Sequence, residues 1–574
     1  MKAVMFKMVI WLHVFFTVAM FHKRKLTDYS DMPPEHRMQA TIADMFLNNQ
    51  ISAKQCQGLM NDGSAAKMAP FKPHTGIVGR NSKRNLIRKL TKGKGWPPLY
   101  HANITCWDRK TMKPKKKQVA FLLPHEIVAS LANASDMASL CDCSNMDGED
   151  KDHLLKWKAK LNTESVVPLG LWIDGTPCNF DRSESLESVC LNFPGSAANR
   201  TMRIPVTAIT KRHLLKQQSF DEILEVVAWS FRCLSEGKYP TCRHDGSDFN
   251  KWDAKRKRLA SNPLGACGLL VQARGDWKMY KDTFRLPGWQ DKGNCCYRCK
   301  VDKEGIKNAS STAPWRKQRL THADLMARLL ASGKTISPIF DCPGFTLERI
   351  KIDWLHVADL GVAPELLGNT IWHLVQHKKV PGHSQADRLK WIFADMQAFY
   401  KTNNVESQLP QLTKDMVWKS KGSGPKLRAK AAEARALVPW AAKIAQERLD
   451  LTLPTDMAIC NAAAELLGCY QCLEGSSFAQ PKLANASRRF ALLLLSLNQS
   501  TREQLWRFKP KHHLFQELAE YATSCPTMNW TYRDEDFGGT LANLARSRGG
   551  ANTPNGVSNT VLNFFKAKHR LPSF

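Results

Sequence analysis

Apolar and polar positions divide the middle of the chain into predicted strands and helices. Apolar, β-branched runs at 166–175, 187–193 and 203–210 predict three strands. Residues 220–237 place apolar side chains at helical spacing and end at a glycine, which predicts a helix. A further apolar run at 266–276 predicts a fourth strand. The order β-β-β-α-β predicts an α/β fold, with a mixed sheet covered by helices.

Helical patterns dominate the residues that follow, and the pattern changes predict five regions. A basic segment at 419–435 interrupts the helices and is expected to form an exposed loop. The predicted regions are an apolar N-terminal segment at 1–29, a basic, mixed helical region at 30–160, the first part of the sheet core at 161–310, a large helical insertion at 311–505 and the C-terminal part of the core at 506–574.

The N-terminal segment leaves three interpretations open. Residues 3–21 are almost wholly apolar, contain Lys7, and are followed by a basic stretch, His22–Lys25. A run of this length is long enough to anchor a protein in a membrane, and the following positive charge would leave the rest of the chain in the cytosol. A short buried helix and an upstream extension that the working protein lacks are the alternatives.

Charge separates this chain from ordinary soluble proteins. It has 83 Lys and Arg residues against 52 Asp and Glu residues, a formal net charge of +31. Such an excess predicts binding to a polyanion, with nucleic acid favoured over a membrane surface, and a basic surface kept for solubility is the alternative. Basic clusters at 113–117 and 254–258 are typical of nuclear-import signals, so we expect a nuclear location. The residues predicted to contact nucleic acid are Arg84, Arg88, Lys89, Lys92, Lys94, Lys255, Arg256, Lys257 and Arg258.

The cysteines indicate free thiols with one candidate metal site. Their number, 17, is odd and their spacing does not suggest a disulfide framework. Cys296 and Cys299 have the CxxC spacing of half a zinc site, which needs two further ligands from elsewhere. Buried structural thiols are the alternative. A second CxxC, at 469–472, lies in an apolar helical pattern and is expected to pack in the core.

Two acids follow predicted strands that would be neighbours in the sheet. Asp174 ends the first strand and Asp276 ends the fourth. Carboxylates in this arrangement suit a pair of Mg²⁺ ions about 4 Å apart, which stabilise both the attacking and the leaving oxygen in phosphoryl transfer. The alternative is that each acid caps the turn that follows its strand.

The order of four motifs resembles a known family. "LWIDG" (171–175), "RGDW…CCYRC" (274–299), "IDWLHVADLG" (352–361) and "KHHLFQELAE…WTYRDEDFGG" (511–539) together resemble the catalytic region of CACTA-type DNA transposases. That family belongs to the DDE superfamily, has an RNase H-like fold and is related to the Transib transposases and the V(D)J recombinase. The resemblance covers residues 165–550.

The resemblance implies a third acid and the rest of the zinc site. It places the third acid at Glu535, although Asp534 and Asp536 are its immediate neighbours, and it implies that His512 and His513 close the zinc site. Because adjacent histidines cannot easily both reach one tetrahedral ion, Cys295 and His356 are alternative ligands. His356 itself is expected either to line the cleft or to fix a helix through a hydrogen bond. Asp353 and Asp359 are rival acids that fall too early for the order of the family.

These features lead to a functional expectation with two alternatives. A DDE-type transposase or nuclease would cut and join DNA with two Mg²⁺ ions at Asp174, Asp276 and Glu535, hold a structural Zn²⁺ and act as a homo-oligomer on DNA. One alternative is a catalytically inactive, domesticated relative that binds nucleic acid. The other is a membrane-anchored protein of unknown role.

Overall fold

The computed structural model describes most of the chain. It covers residues 32–48, 50–68, 71, 82–195, 202–291, 293–418, 424–474, 478–501, 504–546 and 553–574. The predicted membrane anchor at 3–21 lies outside these residues. Among the helices of the described ranges, none combines the length and the apolar character needed to cross a membrane.

A four-stranded mixed sheet confirms the predicted α/β class. Its strands are β3 (Val166–Pro177), β4 (Ser185–Asn192), β5 (Arg203–Thr210) and β6 (Cys267–Arg274), in the order β5-β4-β3-β6. Strand β3 pairs antiparallel with β4 and parallel with β6, and β4 pairs antiparallel with β5. The predicted Asp174 strand and Asp276 strand are therefore neighbours.

Helices surround the sheet and make up most of the described chain after β6. In chain order they are α1 (Pro34–Leu47), α2 (Ala53–Ala65), α3 (Ser82–Thr91), α4 (Pro124–Ala132), α5 (Met137–Leu140), α6 (Gly148–Leu161), α7 (Lys216–Glu236), α8 (Ala254–Leu259), α9 (Trp277–Phe284), α10 (His322–Ala331), α11 (Ala363–Gln376), α12 (Gln385–Thr402), α13 (Lys414–Val417), α14 (Ala431–Arg448), α15 (Pro454–Gln471), α16 (Gln480–Ser500), α17 (Pro510–Glu520), α18 (Tyr532–Arg546) and α19 (Pro554–Lys568). A π-helical segment, Leu355–Val362, leads directly into α11.

The two faces of the sheet are buried by different parts of the chain. Because side chains alternate along a strand, Leu171 and Ile173 of β3 face the core that contains α7, while Trp172 faces the opposite way. Trp172 lies in a second core formed by helices α1–α3 from the N-terminal region and α18 and α19 from the C-terminal end. The ends of the chain thus close one face of the sheet.

A two-stranded sheet occupies a region that the sequence predicts to be basic and partly helical. Strands β1 (Tyr100–Asp108) and β2 (Lys113–Phe121) pair antiparallel. The predicted import cluster at 113–117 is the exposed first half of β2. Lys115 and Lys117 form ion pairs with Asp108, and Lys116 pairs with Glu222. The carboxylates of Asp108 and Glu222 offset the repulsion between these lysines within the strand.

Candidate active site and metal centre

The first two predicted acids leave adjacent parallel strands at the same level. Trp172 of β3 pairs with Arg274 of β6, and each acid lies two residues further along its strand direction. Asp174 lies within β3, whereas Asp276 follows β6 and caps α9, accepting a hydrogen bond from the Met279 backbone N–H at 2.5 Å. Asp276 therefore has the capping role that was the alternative interpretation, and it also lies at the edge of the sheet beside Asp174.

Glu535 and His356 join Asp174 from two distant parts of the chain. Glu535 lies in the first turn of α18, and His356 lies in the π-helical segment. One potential ligand atom from each of Asp174, His356 and Glu535 falls within 4.8 Å of the others. Asp276 is not a member of this three-residue group. The structure thus brings two of the three predicted acids into contact and adds a histidine.

A buried carboxylate orients His356. Asp353 is 3% exposed and accepts a hydrogen bond from Nδ1 of His356 at 2.6 Å, which turns Nε2 towards Oε1 of Glu535 at 3.8 Å. Asp353 also accepts hydrogen bonds from the backbone N–H of Thr531, at 3.0 Å, and from its hydroxyl, at 2.6 Å. Both of the roles expected for His356 are therefore present: it makes a satisfied hydrogen bond, and it lies beside the acids.

Burial and mutual charge shift the pKa values of all three residues in this group. Burial and the carboxylates of Glu535 and Asp276 raise the pKa of Asp174 well above its ordinary value. Burial also raises the pKa of Glu535, against the effects of His356 and of a hydrogen bond with Asp174. Burial disfavours the charge on His356, but Asp353, Glu535 and Asp174 outweigh it and raise its pKa to about 9. Because burial opposes the ionisation of Asp174 and Glu535, their oxygens would suit a hard divalent cation, and Asp276, which follows the adjacent strand, could supply a third carboxylate to Mg²⁺.

The two acids beside Glu535 are engaged elsewhere. Asp534 is completely buried; it forms a short ion pair with Arg203 and lies 3.7 Å from Arg274. Asp536 is exposed and lines a depression on another side of α18. The helical rotation of about 100° per residue separates these three neighbours, so only Glu535 points to Asp174.

A further acid, which sequence reasoning missed, lines the same cleft as Asp174. Glu187 of β4 pairs with Gly175, and a Cβ atom at Gly175 would lie only 2.5 Å from its Oε1. Glycine at 175 therefore leaves room for this carboxylate. Burial raises the pKa of Glu187, and the Asp276 carboxylate adds to that effect. The signal in the sequence was an acid at the start of the predicted second strand, the partner of the Asp174 strand.

Two clefts meet at Asp276. One, of about 960 Å³, is lined by Asp174, Glu187 and several cations, including Lys211 and Lys278. The other, of about 720 Å³, is largely apolar and extends past Asp353 and His356. Asp174 and Asp276 are therefore accessible from the charged cleft, and Asp276 also borders the apolar one.

The CxxC cysteines meet one histidine and one glutamate in a separate, buried site. Ligand atoms of Cys296, Cys299, His513 and Glu517 lie within 4.8 Å of one another. His513 and Glu517 are four residues apart on α17 and so share a helix face. The Cys299 thiol lies 3.3 Å from Nε2 of His513, and the Arg298 backbone N–H donates to the Cys296 sulfur at 3.3 Å.

The donor chemistry of this second site fits a zinc ion. Burial works against ionisation of Cys296, but a hydrogen bond with Cys299 and the His513 ring lower its pKa to about 5. Burial and the Cys296 sulfur raise the pKa of Cys299 far above its ordinary value. Two thiols, an imidazole and a carboxylate that compete for protons in a closed space are ligands that Zn²⁺ can satisfy together.

Three other predicted ligands lie outside the cysteine group, and one of them, His356, belongs to the acid site. His512, the neighbour of His513, points away: its Nδ1 accepts a hydrogen bond from the Lys509 backbone N–H at 3.0 Å, and its Nε2 lies 3.9 Å from Glu365. Cys295 is buried but is not a member of the group. Glu517, in place of His512, joins His513 in the group, and its spacing of four residues from His513 was the available signal.

The predicted nucleic-acid contacts divide into exposed and buried residues. Arg84, Arg88, Lys89 and Lys92 on and after α3, and Lys255, Lys257 and Arg258 on α8, are exposed. Arg256 is instead 6% exposed and forms buried ion pairs with Glu126 and Asp253. Lys94 is half-buried and donates a short hydrogen bond to the Ala567 carbonyl. Arg256 and Lys94 therefore hold the fold together.

No protein-family model matches the chain, and a search of curated proteins finds no significant match.

Proposed function

We propose that this protein is a DDE-type nuclease and strand transferase that cuts and joins DNA phosphodiesters with divalent cations. We also propose that its sheet is an RNase H-like core interrupted by a helical insertion. The observation that carries the proposal is the convergence of Asp174 and Glu535, 361 residues apart, at the edge of a mixed sheet. Neither residue would be placed there by local structure alone.

Asp174, Glu535 and Asp276 would hold the cations, which would supply the charge that stabilises the phosphoryl-transfer transition state. In hydrolysis, an oxygen of water would bond to phosphorus as the bond to the 3′-oxygen breaks. The water would release one proton and the departing 3′-oxygen would take one up, which leaves a 3′-hydroxyl. Asp353 keeps His356 oriented towards Glu535, and Lys211 and Lys278 give the charged cleft its affinity for phosphates.

The zinc site supports the same function indirectly. It would join the loop after α9, which follows Asp276, to α17, which precedes the segment that carries Glu535. A zinc ion held by Cys296, Cys299, His513 and Glu517 would therefore fix two chain segments on which the acids depend. DNA is the proposed partner. The expectations of a nuclear location and of a homo-oligomer on DNA rest on the sequence.

The capping role of Asp276 favours a second candidate, a relative that binds DNA without cutting it. Its carboxylate accepts the Met279 N–H and does not join the group of Asp174, His356 and Glu535. A nicking assay separates the candidates, with Mg²⁺ and a DNA substrate that carries the sequences flanking the protein's own locus.

The expected result is Mg²⁺-dependent nicking by the wild-type protein and none by Asp174→Ala, with DNA affinity nearly unchanged. Asp181→Ala is the matched control, because Asp181 is an exposed acid in the β3–β4 turn whose hydrogen bonds, among the described residues, go to the neighbouring Ser183. Nicking by Asp174→Ala at the wild-type rate would overturn the proposal. DNA binding by a wild-type protein that never nicks would favour the second candidate.

A further inference from the structure

A depression of about 500 Å³ lies on a different side of α18 from the acids. Arg533, Asp536, Phe537 and Thr540 of α18 line it. Their spacing of three, four and seven residues puts them on one face of the helix, and that face is not the one that presents Glu535 to Asp174. The depression and Glu535 therefore lie on different sides of α18.

Aromatic rings form the wall opposite α18. Trp96 lies 5.2 Å from Phe565, centroid to centroid, and Phe565 lies 5.8 Å from Phe537. The indole N–H of Trp96 donates to the His569 carbonyl at 2.7 Å, which fixes the plane of the ring. Trp96 is half-buried, so part of its ring remains available to a ligand.

The loop that carries Trp96 is fastened to the C-terminal segment. The Leu571 backbone N–H donates to the Lys94 carbonyl at 2.8 Å, and the Lys94 ammonium donates to the Ala567 carbonyl. Gly93 and Gly95 have φ angles of 76° and 81°, which glycine adopts without strain. The aromatic wall is thus pre-organised by contacts between segments almost 500 residues apart in sequence.

Charged groups stand at the rim of this depression. Arg533 and Arg570 are exposed, and within the described residues neither guanidinium lies within 4.0 Å of a carboxylate. Asp536 supplies one exposed acceptor beside them. Two cations without an acidic partner suit phosphates, a ring face suits stacking, and a carboxylate accepts from the N–H groups of a base.

We propose that this depression, the Trp96 pocket, binds an unpaired nucleotide of a DNA strand near the reacting phosphate, with the base against Trp96 and the phosphates at Arg533 and Arg570. The inference rests on the proposed function for its identification of DNA as the ligand. The combination of one aromatic platform with flanking cations is suited to single-stranded rather than fully paired DNA, because only an unpaired base exposes its face.

Binding of a short, fluorescently labelled single-stranded thymidine oligonucleotide, measured by anisotropy on the full-length protein, tests the inference. Trp96→Ala is expected to weaken binding about tenfold, because that is the typical effect of removing one stacking platform. Trp96→Phe should retain most of the affinity. Arg570→Ala should reduce the slope of log affinity against log salt by about one, as expected for the loss of one phosphate contact.

Trp391→Ala is the matched control, because Trp391 is another half-buried tryptophan near an arginine, Arg448, but belongs to α12. It should bind the oligonucleotide like the wild type. Equal affinity of the Trp96→Ala, Arg570→Ala and wild-type proteins would overturn the inference. Because no step of this test involves cleavage, a protein that never nicks DNA but loses single-strand affinity in Trp96→Ala would contradict the enzyme proposal alone.

Discussion

The acid site and the cysteine site are both clusters of potential metal ligands, yet their surroundings differ. The residues of the cysteine site are all buried, and Arg319 forms a short ion pair with Glu517 behind it. Asp174, His356 and Glu535 are only partly buried; Asp174 lines the charged cleft, and His356 lines the apolar one. A closed ligand set is typical of a structural ion, whereas catalysis needs positions that substrate and water can reach.

The two sites also differ in how far apart their ligands lie in the sequence. Each half of the cysteine site is local, since Cys296 and Cys299 share one loop and His513 and Glu517 share one helix turn. The acid site takes one residue each from β3, the π-helical segment and α18. Changes to the cysteine site should therefore affect stability first, whereas changes to the acid site should affect chemistry first.

The largest expected effect is the loss of stability on breaking the cysteine site. Cys299→Ser should lower the free energy of unfolding by more than about 4 kcal/mol, because loss of a structural metal belongs to the few single changes with effects of that size. Thermal melting with and without a Zn²⁺ chelator measures this. Glu535→Gln should melt close to the wild-type temperature while losing DNA cleavage.

Cys469→Ala is the control for the cysteine substitution. Cys469 is equally buried, in α15, but belongs to no metal-ligand group of the described residues, so the change should cost only about 1 kcal/mol. If Cys299→Ser melted like the wild type and chelation had no effect, the cysteine site would not hold a structural metal ion, and the proposed difference between the two sites would be wrong.

An intermediate effect is expected from the hydrogen bond that fixes the segment before Glu535. Thr531→Val removes the hydroxyl that donates to Asp353 at 2.6 Å and should slow cleavage roughly tenfold, because Glu535 and His356 would lose a shared anchor. DNA affinity should not change. Single-turnover nicking rates alongside binding measurements separate the two quantities.

Thr523→Val is the matched control, since its hydroxyl donates to Asp147 at the same distance of 2.6 Å but outside the acid site. If both substitutions slowed nicking equally, the cause would be a general loss of stability, and the proposal that Thr531 positions Glu535 and His356 would be contradicted.

A pH dependence of stability is expected from a carboxyl near the acid site. Asp359, in the π-helical segment, accepts hydrogen bonds from Tyr470 and Tyr532, yet burial raises its pKa to about 7. A carboxyl whose folded-state pKa exceeds its unfolded value favours folding below the unfolded pKa, and that contribution is lost as the pH rises through the folded pKa.

Between about pH 4 and pH 7, Asp359 should therefore lower the stability of the wild-type protein as the pH rises. Asp359→Asn keeps an acceptor for the tyrosines but cannot ionise, so its stability should fall less over the same range. Denaturant unfolding of both proteins at several pH values gives the comparison, and parallel pH profiles would contradict the assigned role.

The sheet was predictable because its strands are apolar runs bounded by breaks in the pattern. The predicted runs at 166–175 and 203–210 coincide closely with β3 and β5, and the class of a mixed sheet covered by helices is confirmed. The hairpin of β1 and β2 was missed because its second strand begins with lysines. Their neutralisation by Asp108 and Glu222 depends on contacts that one-dimensional patterns do not contain.

The site was predictable in part for the same reason. Asp174 and Asp276 come at the ends of predicted strands, so the order of the strands predicted that the two acids lie close together. Cys296 and Cys299 have the CxxC spacing that is typical of half a zinc site. Which of three consecutive acids faces Asp174 depends on the rotation of α18 against the sheet. Arg203 and Arg274 set that rotation by holding Asp534 in the core.

By itself, the sequence determined the strands, the acids that end them, the cysteine pair and the excess of positive charge, because these depend on local order and composition. The tertiary structure decided the rest: that His356 stands beside Asp174 and Glu535, that Glu517 rather than His512 completes the cysteine group, and that Arg256 is buried. Each of these outcomes depends on how separate elements pack, since the partners are far apart in the chain and only packing brings their charges together.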